Sequence, residues 1–144
     1  MTETRQETCK IAESTNYHQD ISNVAVTGLS SAKYIDKVDG ASVKTESNSV
    51  VTISSEVDRV YTPAPGAVLT VTEADKKIFE VVRDNLDNVV VWNPWIEKAK
   101  GMGDFAPKDG YKNMICVEAG AVGGWQKLEA GDSFEGGQII KAVL

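Results

Sequence analysis

Residues 49–92 read SVVTISSEVDRVYTPAPGAVLTVTEADKKIFEVVRDNLDNVVVW, and this stretch decides the fold. It holds four apolar runs, each short and rich in Val, Ile, Thr and aromatics: Ser49 to Ser54, Val57 to Tyr61, Ala67 to Val71 and Lys77 to Val82, with a fifth opening at Asn88. Pro63-Ala64-Pro65-Gly66 and Asp87-Asn88 separate them as turn signals. Val68, Thr70 and Thr72 alternate with Ala67, Leu69 and Val71, the period of a strand with one buried face.

Working outward, the same grammar gives strands at Val24 to Val26 and Lys33 to Val38 upstream, and Asn88 to Trp92, Lys112 to Glu118, Trp125 to Leu128 and Gly137 to Val143 downstream. Asp39-Gly40, Asp109-Gly110 and Ala130-Gly131-Asp132 mark further turns. Only Trp95 to Lys100 reads as helix, opened by Pro94 at a position suited to the first helical turn. With no strand–helix alternation and no long amphipathic helix, the expected fold is all-β, an antiparallel β-sandwich. Residues 1–20 read as a polar leader and residues 21–144 as one β-sandwich domain.

The composition narrows the function classes. The chain has 144 residues, 42% hydrophobic and 25% charged, as a single globular domain requires. A net charge of −6 argues against a phosphate-tracking nucleic-acid binder. No apolar run is long enough to span a bilayer, and the polar N-terminus lacks the apolar core of a secretory signal, so no membrane role and a cytoplasmic location are expected. Cys9 and Cys116 are too few for a disulfide framework; a reduced pair, with Cys116 as a small buried hydrophobe, is the simpler reading. One histidine and two distant cysteines make a metal site improbable.

Three groups of residues could carry chemistry. Glu118 ends the apolar run Met114-Ile115-Cys116-Val117. Partial burial there would raise its pKa and suit a general base, whereas a solvated turn residue is the plain alternative. Asp58 shares a strand face with Val60, opposite Val57, Arg59 and Tyr61. An inward aspartate needs hydrogen-bond donors, which sugar hydroxyls supply; a surface ion pair is the alternative. Trp92, Trp95 and Trp125 could offer a flat platform to a sugar ring or simply fill the core.

The run Val91-Trp92-Asn93-Pro94-Trp95-Ile96-Glu97-Lys98, followed by Met102-Gly103-Asp104-Phe105 and Met114 to Glu118, resembles the glucose-6-phosphate 1-epimerases, or hexose-6-phosphate mutarotases, of the aldose 1-epimerase superfamily. Gly28-Leu29, Tyr34-Ile35-Asp36-Lys37-Val38 and Val57-Asp58-Arg59-Val60-Tyr61 extend the match, as do Trp125, Leu128, Gly131 and Gly137. The resemblance covers only the C-terminal half of such proteins. It implies a galactose mutarotase-like β-sandwich and an isomerase that interconverts the α and β anomers of a hexose 6-phosphate without metal or organic cofactor. Glu118 then takes the place of the general base, and Asp58, Trp92 and Asn93 that of substrate-binding residues.

Two departures set this chain apart from the family. The part that supplies phosphate-binding arginines is missing, and Ser14 stands where the family carries its acid histidine. Serine is no proton donor near neutrality, and His18 on a strand would lie ~13 Å from that position. A non-catalytic relative that binds carbohydrate or a partner protein is therefore the alternative reading. Half of a large sandwich would also expose edges and apolar surface, so self-association, or pairing with a missing N-terminal half, is expected.

Overall fold

A computed structural model describes residues 20–143. Its strands are Val24–Thr27 (β1), Lys33–Asp36 (β2), Ser42–Thr45 (β3), Val50–Thr52 (β4), Val57–Tyr61 (β5), Val68–Glu73 (β6), Lys76–Asp84 (β7), Asn88–Asn93 (β8), Cys116–Gly120 (β9) and Gly137–Ala142 (β10). They form two five-stranded sheets, ordered β10-β7-β6-β1-β4 and β3-β2-β5-β8-β9, in which every neighbouring pair runs antiparallel.

Strand alternation builds the sandwich. Val24, Val26, Leu69, Val71 and Val81 of the first sheet meet Tyr34, Val57, Tyr61, Val89, Val91 and Val117 of the second in one buried cluster. Each such side chain, removed from water, contributes roughly 1.5–3 kcal/mol. The hairpin between β6 and β7 turns on Ala74 and Asp75, both at positive φ (47° and 63°), the backbone that matches the twist of a two-residue hairpin.

One polar cluster is buried with this core. Glu46, which leaves only 4% of its surface exposed, accepts hydrogen bonds from Arg59 Nη1 (3.1 Å), Tyr61 Oη (3.0 Å) and the Asn48 N–H (3.1 Å). Arg59 also lies 4.8 Å over the Tyr34 ring. Burial pushes the Tyr61 hydroxyl well above its ordinary range, so it stays a donor to Glu46.

Several expectations needed correction. Trp125 to Leu128 forms no strand: its two apolar residues sit three apart, so a strand would send them to opposite faces, and Trp125 stays 92% exposed. The run from Lys112 divides, with a 3₁₀ turn at Gly110–Asn113 and pairing only from Cys116. Conversely, β3 carries a single apolar residue, Val43, at 69% exposure, and gave no hydrophobic pattern to read. It is an edge strand guarded by Lys44. The helix (α1) spans Trp95–Gly101 with Pro94 as its N-cap, one position earlier than expected. Cys116 is buried as read, but disulfide-bonded instead of free; Cys9 lies outside the described residues.

Candidate active site

The outer face of the β3-β2-β5-β8-β9 sheet carries the site. Its register places Ile35 opposite Val60, Val60 opposite Val90 and Val90 opposite Glu118. The adjacent same-face row runs from Asp58 to Trp92 to Cys116. Side chains of both rows point away from the core. All but Cys116 wall a cavity of about 830 Å³ whose lining includes Lys37, Asp58, Trp92, Asp104 and Glu118.

Asp58 and Glu118 are thus on one side of the sandwich and in one cavity. Their strands are two apart and their rows two residues apart, so sheet spacings put the α-carbons about 12 Å from each other. Trp92 stands on the strand between them and gives the cavity an apolar wall. Glu118 is half-buried. The Asp58 carboxyl is 17% exposed and lies 3.9 Å from Lys37 Nζ.

Asn93 does not join them. It is fully buried on the opposite face, where its Nδ2 donates to the carbonyls of Tyr111 and Met114 (2.8 Å each). Its Oδ1 accepts the Trp95 N–H at 2.8 Å. Its role is to tie α1 and the 3₁₀ turn to the end of β8. Successive strand residues face opposite ways, so the presence of Trp92 in the cavity already excluded its neighbour.

Of the three tryptophans, only Trp92 lines the cavity. Trp95 stacks at 5.3 Å on Tyr111 and packs against the core. Ser14 and His18 lie outside the described residues.

Lys37 and Asp104 were not singled out from the sequence. Lys37 belongs to the Tyr34 to Val38 motif, yet nothing local reveals its contact with Asp58, which depends on pairing between β2 and β5. Its backbone N–H donates to the Asp58 carbonyl at 2.9 Å. The turn it sits in is held by Asp36, whose Oδ1 accepts the Val38 N–H (3.1 Å) and the Asp39 N–H (3.3 Å) while Oδ2 meets Lys44 Nζ at 2.7 Å. Burial alone would raise the Asp36 pKa, but the Lys44 hydrogen bond and charge, with the two N–H donors, hold it below the usual carboxylate range.

The electrostatics of the cavity are lopsided: one lysine faces three carboxylates. Both arginines among the described residues are committed elsewhere. Arg59 pairs with Glu46 on the core face, and Arg83 donates to the carbonyls of Ala64, Gly66 and Leu86. A group of three or more His, Cys, Asp or Glu side chains placed to hold a metal is absent from the described residues.

A family model described as aldose 1-epimerase matches residues 11–141. The chain belongs to the aldose 1-epimerase family. Within it, a relative from Cenchrus ciliaris that carries the provisional name glucose-6-phosphate 1-epimerase is 40% identical over 124 residues, which are 86% of this chain and 37% of that protein. A relative of the same provisional name from Escherichia coli K12 is 36% identical over 109 residues, or 76% of this chain and 36% of its own length. The crystal structure of YeaD from Salmonella typhimurium, provisionally titled a mutarotase, superposes with a TM-score of 0.63 at 38% identity over 70% of this chain and 34% of that one. The chain therefore spans little more than a third of the family members it matches.

Proposed function

We propose that this chain forms the base-bearing wall of a glucose-6-phosphate 1-epimerase site. One observation carries the reading: Glu118, Trp92 and Asp58 line a single cavity on one sheet face, as a pyranose needs them to. Glu118 takes the proton from the anomeric hydroxyl as the C1–O5 bond breaks and an acid protonates the ring oxygen. The open aldehyde rotates about C1–C2. Reclosure on the other face of the carbonyl, with the proton transfers reversed, yields the other anomer. The protons balance, so the reaction calls for no cofactor.

The half-buried position of Glu118 suits this task, because it sits at a cavity wall without leaving water altogether. Asp58, acceptor-only when ionised, fixes hydroxyls elsewhere on the ring. Trp92 supplies the stacking floor. The described residues contribute neither a histidine acid nor an arginine fork for the 6-phosphate. A partner or a further portion of polypeptide across the open cavity fits the short span of the match, and a cytoplasmic location accords with a phosphorylated sugar substrate. Among the described residues no helix is long and apolar enough to cross a membrane.

The test is direct. Freshly dissolved α-glucose 6-phosphate is followed by polarimetry with and without the protein. Acceleration over buffer that disappears in Glu118→Gln supports the reading, and a rate equal to buffer rejects it. Resonance shifts on adding the sugar without any acceleration would favour a non-catalytic carbohydrate binder.

A further inference from the structure

The Asp58 carboxylate is largely buried, yet it accepts no hydrogen bond from the described residues; its one polar neighbour is Lys37 Nζ at 3.9 Å. Lys37 Nζ makes no hydrogen bond among them either. Neither head is held by the described residues beyond that contact, and a 3.9 Å ion pair holds them weakly, since a half-exposed lysine gains little from such a contact and loses side-chain entropy in making it.

We infer that Lys37 and Asp58 form a donor–acceptor pair that reads two adjacent hydroxyl groups of the sugar. This rests on the proposed function above and assigns Lys37, which that function leaves unused, to substrate recognition. An ionised aspartate can only accept, and a lysine ammonium can only donate three hydrogens. Each hydroxyl can do both. One hydroxyl therefore donates to Asp58 while its neighbour accepts from Lys37, and charge-assisted bonds replace the loose ion pair.

The geometry is prepared in advance. The Lys37 backbone is bonded to the Asp58 carbonyl, and the turn that follows is closed by Asp36 and Lys44. The two heads therefore approach the cavity from β5 and from the turn that follows β2. In a cavity with three carboxylates, Lys37 is also the sole described cation available to a sugar oxygen.

The experiment measures mutarotation of glucose 6-phosphate and of its 2-, 3- and 4-deoxy analogues by the full chain, its Lys37→Met and Lys37→Arg variants. Loss of a charge-assisted hydrogen bond should raise KM about tenfold or more in Lys37→Met while kcat stays within about twofold. Lys37→Arg should recover part of the loss, which a merely structural role would not produce. One deoxy analogue, costly for the wild type, should cost nothing further in Lys37→Met, because hydroxyl and ammonium are partners in one bond. Thermal unfolding of Lys37→Met should match the wild type, given its half-exposed side chain.

Wild-type acceleration with an unchanged KM in Lys37→Met overturns this assignment and leaves the proposed function standing. So do deoxy penalties that persist undiminished in the variant. No acceleration of any of the sugars by the wild type overturns both.

Discussion

The two faces of the β3-β2-β5-β8-β9 sheet differ more than any two elements of the molecule. On the inner face, Val89 and Val91 of β8 are fully buried, and the buried carboxylate of Glu46 has its oxygens met by Arg59, Tyr61 and Asn48. One residue along the same strand, Val90 and Trp92 face the cavity, where the side chains of Asp58 and Lys37 meet only each other, at 3.9 Å, among the described residues. The same backbone ladder thus serves a face whose Glu46 is tightly hydrogen-bonded and one whose Asp58 and Lys37 are loosely paired. Stability resides in the first.

That contrast can be broken most sharply by paired substitutions. Glu118→Gln should lower kcat/KM by about 10²–10⁴-fold, the usual contribution of a general base, while leaving the unfolding curve in place. Arg59→Met should do the reverse. It strands Glu46 in the core and should cost about 3 kcal/mol, a drop in Tm of several degrees seen by calorimetry, with the mutarotation rate per folded molecule unchanged. If either variant showed the signature of the other, the division between the faces would fail.

Asn93→Ala removes three hydrogen bonds that tie α1 and the 3₁₀ turn at Gly110–Asn113 to β8. Leaving buried carbonyls of Tyr111 and Met114 unpaired should destabilise by about 2 kcal/mol in urea unfolding. Sugar affinity should hold. A large loss of affinity at full stability would return Asn93 to the substrate-binding set.

The smallest effect concerns pH. The Asp36 carboxyl is held below its ordinary value in the fold, against burial, by Lys44 and two backbone N–H groups. The unfolded chain then binds this proton more readily. The stabilisation is complete above the unfolded value of 3.8 and fades as pH falls through the lower folded value. Asp36→Asn should be less stable than the wild type at pH 6, and the gap should narrow as pH falls below 3.8. A gap independent of pH would show that the turn does not depend on the ionised carboxylate.

Most of the fold was legible because valine and threonine runs separated by Pro, Gly, Asp and Asn leave few options. Val57 to Tyr61 and Asn88 to Trp92 were readable as strands for that reason. β3 was not, since an edge strand need not bury anything, and Val43 does not. For the candidate site, Glu118 and Asp58 stand out in the sequence because a carboxylate among apolar strand residues is out of place locally. Lys37 could not, because a lysine beside a strand is ordinary until a distant strand brings an aspartate to it. Asn93 was placed with the substrate residues through its position in the family motif, and strict alternation along β8 turns its side chain away from the cavity that Trp92 lines.

The central claim is that Asp58 and Glu118 serve one sugar. Titration of glucose 6-phosphate into ¹⁵N-labelled protein tests it most directly. The account predicts that the Trp92 indole N–H and the amides of Asp58 and Glu118 shift together along a single binding isotherm, while those of Val89 and Val91 move little. Shifts at one carboxylate site without the other, or two isotherms with different midpoints, would contradict it.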